Sequence, residues 1–133
     1  MKYEDCVLKP RPSEEIQHHD SSVMNKTGQS YVLLDDIHYD GAGIRVTTRH
    51  IDNVPEDMPD YVELHTHGVD QVFIFLDEPG NTNPLQAEIT LEDEKYTVTA
   101  PVTVFIPKEV PHSQRVIRGT GRMVTILKKG KYP

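Results

Sequence analysis

Two histidines one residue apart, His65 and His67, stand in the stretch VELHTHGVDQVFIF, and a glutamine, Gln71, follows four residues after the second. A third histidine, His112, lies far along the chain in FIPKEVPHSQ. Side chains on a strand alternate between its two faces, so His65 and His67 point the same way. Gln71 and Phe73 share their parity, provided that the turn at Gly68–Asp70 does not reset it. Pro107 and Pro111 bracket a second turn, after which His112 opens a strand that an antiparallel fold can return beside the first pair. Three imidazoles and one side-chain carbonyl oxygen form a donor set for a divalent metal. Imidazole suits Zn, Fe, Ni, Cu and Co, and the amide oxygen is a weaker, hard donor. A single histidine in a β-wall reads as a satisfied polar residue. A His-x-His pair on an otherwise apolar strand reads as metal-binding, because burying several uncompensated polar groups is costly. The alternative for Gln71 is that it stays off the metal, leaving three histidines and open positions.

Other residues near these positions could move protons or grip a ligand. Glu63 shares the parity of His65 and could orient an imidazole N–H or act as a general base; the plainer reading is a rim residue in water. Tyr61 could close the mouth of a barrel or donate to a bound anion, or simply pack. Gln114 shares parity with His112. Glu88 sits within AEIT, where an inward carboxylate would be notable and an outward one ordinary. Arg45 and Arg49 share one face of a strand that also holds His50, and either could grip a substrate carboxylate, although a charged outer face is the plainer reading. Phe73, Phe75, Phe105, Val104, Ile106, Val124 and Ile126 are core candidates.

The elements that must position these residues are strands. Residues 1–30 carry no sustained period, and their prolines, Ser, Asp, Asn and Gly predict an irregular arm. SEEIQHH could form one helical turn capped by Ser13. The adjacent His18 and His19 would face opposite ways on a strand and read as surface residues. From Ser30 onward SYVLLDDIHY, GIRVTTRHI, YVELHTH, DQVFIFLD, LQAEITL, KYTVTA, VTVFIP, HSQRVI and RMVTILKK read as about nine short strands separated by turn signals, the spacing of a sandwich or barrel. The short basic tail LKKGKYP reads as a solvated terminus. The expected division is an arm over 1–30 and a barrel over 31–133.

With 133 residues the chain is one domain's worth, and such a chain buries roughly two-thirds of its unfolded surface. A net charge of −7, from 21 acids against 14 Lys and Arg, repels phosphate backbones and argues against nucleic acid as partner. No apolar run approaches the roughly 18 residues needed to cross a bilayer. The N-terminal MKYEDCVLKP lacks the apolar stretch of a signal peptide. The one cysteine, Cys6, cannot form an internal disulfide and reads as a spectator thiol. These features lead us to expect a cytoplasmic protein.

HTHGVDQ together with PKEVPH resembles the two metal-binding motifs of the cupin superfamily, over roughly Gly43 to Leu127. The first family motif is His-x-His, three or four residues, then Glu, with flanking glycines; the second is Pro-x-Gly-x-x-His followed by Asn. His65, His67, Pro107 and His112 match. Gln71 stands at the glutamate position, Pro59 and Pro101 at the leading glycines, Glu109 at the middle glycine and Val116 at the asparagine, while Gly80 falls out of register with the trailing glycine. Proline or another residue can make a different tight bend at such turns.

The resemblance implies an all-β cupin-type double-stranded β-helix, or jelly-roll barrel. It also implies a homodimer with the arm laid across the partner, and one divalent transition metal per chain (Fe, Mn, Ni, Zn, Co or Cu) on His65, His67, Gln71 and His112. An amide in place of the carboxylate leaves every ligand neutral. One extra unit of charge at ~4 Å is worth on the order of 4 kcal/mol at an effective dielectric of 20. Such a centre should hold anions more readily and its metal less tightly. The implied function is a metal-dependent enzyme of oxygenase, isomerase or lyase type on a small anionic molecule, with Glu63 or Tyr61 moving the proton. The alternative is a non-catalytic ligand-binding or sensing module, since the family contains both.

Overall fold

The computed structural model describes residues 1–13, 28–55 and 63–132. His18, His19 and most of the expected helical turn after Ser13 lie outside the described residues, as does Tyr61. Nine strands are present among the described residues: β1 (Arg11–Pro12), β2 (Ser30–Leu34), β3 (Arg45–Ile51), β4 (Gln71–Leu76), β5 (Gln86–Leu91), β6 (Glu94–Thr99), β7 (Val102–Ile106), β8 (His112–Arg118) and β9 (Gly121–Leu127). They form two antiparallel sheets, one of six strands in the order β1-β2-β3-β9-β4-β7 and one of three in the order β6-β5-β8. This is the architecture of a cupin jelly roll. Among the described residues no helix is long and apolar enough to cross a membrane.

Period-two patterning explains the layers. On β4, Gln71, Phe73 and Phe75 are buried, and the residues between them are partly exposed. Register carries that inner face across the large sheet, with Arg45, Leu127, Gln71 and Ile106 in one row and Arg49, Met123, Phe75 and Val102 in another. On the small sheet Leu91, Ile89 and Ala87 of β5 face His112, Gln114 and Val116 of β8. Phe73, Phe75, Ile106 and Met123 from one sheet pack with Ala87, Ile89 and Val116 from the other in a single core. Each of these side chains other than Ala87 contributes roughly 1.5–3 kcal/mol on full burial. Gln71 opens β4 on the large sheet and His112 opens β8 on the small one, and the His112 ring lies 6.4 Å from that of Phe73, so polar side chains sit over this apolar floor. At the β8–β9 turn the chain passes so close to Pro84 that a Cβ on Gly119 would fall 2.2 Å from its carbonyl oxygen, at a φ of +93.

Several sequence expectations are corrected. Phe105 is 53% exposed, on the outer face of β7, and Val124 and Ile126 are only partly buried on the outer face of β9. In the described part of YVELHTH, residues 63–67, no strand forms beyond a single bridge, His65 to His112. SYVLLDDIHY stops being a strand at Leu34, because Asp35 turns inward and accepts from the backbone N–H groups of Ile37 and His38. Within the arm, Arg11 and Pro12 form a short edge strand against β2.

Arg11 fixes that arm. Its guanidinium donates to both carboxylate oxygens of buried Asp35, at 2.8 and 2.5 Å. The Arg11 bond, opposed by burial and helped by the His38 amide, holds the Asp35 carboxyl far below the usual carboxylate range. A depressed folded-state value gives stability that is present above the unfolded carboxyl's value and is lost as pH falls through the folded one. Asp35→Asn should therefore destabilise the protein by roughly 2–3 kcal/mol at neutral pH, since bonds to a buried charge are among the stronger ones. In denaturant titrations the gap between variant and wild type should narrow below about pH 4.

Candidate metal centre

His65, His67 and His112 come together at one end of the core. Each offers a ring nitrogen, these nitrogens all lie within 4.8 Å of one another, and all three residues are buried. Ring centroids are 4.6–5.1 Å apart. The meeting is made by the main chain. His65 and His112 exchange both backbone hydrogen bonds, N to O at 3.0 and 2.8 Å, and the Glu109 amide donates to the His67 carbonyl at 2.8 Å. Asp70 holds the following turn by accepting from the Lys108 amide at 2.9 Å. That bond, together with Lys128, lowers the Asp70 carboxyl below its ordinary value.

Two of the imidazoles are oriented by carbonyl groups. The Nδ1 of His65 lies 2.5 Å from the Glu63 carbonyl oxygen, and the Nδ1 of His112 lies 2.9 Å from that of Val110. A ring that donates from Nδ1 presents the lone pair of Nε2. The Nε2 atoms of His65 and His67 are 3.1 Å apart, close enough to share one proton, which an incoming cation would displace. Burial, reinforced by His65 and opposed by the Val110 carbonyl, lowers the His112 pKa and favours the neutral ring that can ligate.

The fit to a cation rests on two atoms. The Nε2 of His112 and the Oε1 of Gln71 are buried with no hydrogen-bond partner. Leaving a buried acceptor unpaired is unfavourable, and a cation is the ligand that two acceptors and two lone-pair imidazoles have in common. Imidazole nitrogens with an amide oxygen suit a divalent transition metal. Gln71 opens β4 with its side chain 5% exposed, so the inward parity expected across the turn holds.

The surrounding residues divide. Glu63 is exposed, and it is its carbonyl oxygen that meets His65. Gln114 is buried on the face of His112. Glu88 points outward and pairs with Lys95 and Arg115, each at 3.4 Å. Arg45 and Arg49 do not form a charged outer face; both are buried on the inner face of β3, because Arg45 shares a row with Gln71 and Arg49 a row with Phe75.

The tail, expected to be solvated, instead returns to the centre. Its Gly130 carbonyl accepts from the Asp36 amide at 2.9 Å, and Lys128 reaches the Asp70 carbonyl and carboxylate. Tyr132 then places its hydroxyl 3.4 Å from the Nε2 of His65 and its ring edge-on to His67, with the Arg45 guanidinium 5.7 Å from the ring centre. Burial pushes the Tyr132 hydroxyl well above its ordinary pKa, against the pull of Arg45. No period or motif marks this tyrosine in the sequence.

No protein-family model matches the sequence, and no curated protein matches it. Solved structures do. The polyketide cyclase RemF from Streptomyces resistomycificus superposes with a TM-score of 0.59 at 18% identity, over 98% of this chain and 79% of that one. An RmlC-like cupin from Shewanella frigidimarina gives 0.52 at 13% identity, over 95% and 86%. The oxalate decarboxylase of Bacillus subtilis, a protein with Mn(II) centres, gives 0.56 at 11% identity, over 94% of this chain but 29% of that one. The fold of this chain is that of the cupins.

Proposed function

We propose that this chain is a metal-binding cupin that holds one divalent transition metal through His65, His67 and His112, with Gln71 as an oxygen donor, and acts on a small anionic organic molecule. The observation that carries this reading is the convergence of three buried histidine nitrogens, of which His112 Nε2 has no hydrogen-bond partner, together with the buried and equally unpartnered Oε1 of Gln71. The likeness to a decarboxylase with Mn(II) centres and to a polyketide cyclase supports it. A bound ion of this kind supplies Lewis acidity toward a carboxylate or enolate oxygen, on which oxygenase, isomerase and lyase chemistry all draw. The chain's own part is to bind and orient. Its ligands are neutral, and Arg45 stands on the inner face in the row of Gln71, which favours an anion. Glu63 and Tyr61 are the proposed proton carriers. The same reading takes the protein as a cytoplasmic homodimer with small-molecule partners and no role in binding nucleic acid or membranes.

One observation favours the second reading, a ligand-binding or sensing module: Glu63, a proposed proton carrier, is exposed. Elemental analysis of purified protein tests the metal, with about one ion per chain expected. Product formation and oxygen uptake with 1,3-dicarbonyl, catechol and hydroxy-acid compounds then separate the two readings. A metal-loaded protein that converts none of them, yet gains about 2.7 kcal/mol of stability at a hundredfold excess of such a ligand over its Kd, is the sensor.

A further inference from the structure

We propose that Tyr132 is a positioning residue of the metal centre: its hydroxyl, carried in by the C-terminal tail, donates a hydrogen bond to an oxygen of the anionic ligand held beside the three histidines. This rests on the metal-binding reading above and names the group that selects its ligand.

The geometry has three parts. First, the tail is fixed before it reaches the tyrosine. The Lys128 amide donates to the Asp70 carbonyl at 3.2 Å, and the Gly130 carbonyl accepts from the Asp36 amide at 2.9 Å. A Cβ on Gly130 would fall 1.8 Å from an Asp36 carboxylate oxygen, so tail and Asp36 side chain are in close contact here. Second, the ring is held on two sides, by the His67 imidazole at 5.1 Å and 84° and by the Arg45 guanidinium at 5.7 Å. A ring with two such neighbours presents its hydroxyl in one direction. Third, that direction is toward His65 Nε2, at 3.4 Å. With Nδ1 of His65 donating to the Glu63 carbonyl, Nε2 is the acceptor and the phenol the donor.

With a metal held by His65, the lone pair that the phenol now addresses would be taken up. The hydroxyl must give up that bond and turn its proton to another acceptor. An oxygen of a carboxylate sharing the same space with Nε2 is such an acceptor, and a donor aimed at a charged oxygen makes one of the stronger hydrogen bonds. Arg45, behind the ring, adds positive charge on the same side. The ligand class is therefore a small carboxylate rather than a neutral or cationic molecule.

The test uses full-length protein loaded with Co(II), whose absorption reports both metal and anion binding. Wild type and Tyr132→Phe are titrated with Co(II), and the loaded proteins with acetate. Tyr132→Phe keeps the ring contacts and removes only the donor. We expect Co(II) affinity to stay within about threefold and the acetate Kd to weaken about tenfold, the effect of one hydrogen bond to a charged group. Equal acetate affinity in the two proteins overturns the proposal. So does loss of Co(II) binding in a folded Tyr132→Phe, because the phenol would then be a metal ligand. If wild type takes up no Co(II), the metal-binding reading itself fails and this proposal with it. Should Tyr132→Phe unfold, ending the chain after Lys131 removes the hydroxyl altogether and is expected to weaken acetate to a similar degree; an unchanged acetate Kd there overturns the proposal as well.

Discussion

Replacing His65 and His67 together by alanine is expected to abolish metal uptake while leaving the barrel folded. The two rings supply two of the three clustered nitrogens, and the remaining ring, His112, cannot hold a divalent ion by itself with one amide oxygen. Affinity should fall by more than about a thousandfold, since two of the strongest donors are gone. The fold should survive because the bonds that place this segment are main-chain bonds between His65 and His112, which alanine keeps, and because neither histidine belongs to the apolar core. Truncating two buried rings should still cost roughly 1–3 kcal/mol, the common range for such changes. Elemental analysis and thermal unfolding with and without added metal check both halves. Stoichiometric metal in the folded double variant would remove the site.

The second large effect is expected at Gln71. Gln71→Glu should tighten metal binding and weaken anion binding. The side chain is buried and its Oε1 has no partner, so a carboxylate placed there would be poorly solvated. A unit charge ~4 Å from the ion contributes on the order of 4 kcal/mol at an effective dielectric of 20. Burying the carboxylate offsets several kcal/mol of that. The expected net is a metal Kd lower by about tenfold or more, together with an acetate Kd higher by a similar factor. Competitive metal titration and anion titration of the loaded protein give both numbers. An anion that binds the variant more tightly would show that charge on the ion does not govern ligand choice.

The histidine spacing carried most of what could be read from the string. His-x-His survives as a shared face because His65 is tied to His112 even without a strand, and Gln71 keeps its inward parity at the start of β4. Where no strand forms, period two cannot choose a face: pairing around Glu63 is a single bridge, and Glu63 is exposed, in keeping with its plainer reading as a rim residue. In VTVFI the outer face carries Thr103 and Phe105, and an aromatic directly beside Ile106 masks the alternation that puts Phe105 outside. Arg45 and Arg49 were correctly placed on one face, but charge alone suggested the outer one; the row shared with Gln71, a matter of register between distant strands, puts them inside. The Arg11–Asp35 pair and the return of Tyr132 depend on contacts far apart in the chain, and nothing local announces either.

The paired main-chain bonds between His65 and His112 have a kinetic consequence. They shape the ligand set before any ion arrives, so capture should need no ordering of the backbone, unlike small metallo-domains that fold only around their metal. Mixing apo-protein with Co(II) should then give a single phase whose rate rises linearly with cobalt concentration, and far-ultraviolet circular dichroism should not change as the ion enters.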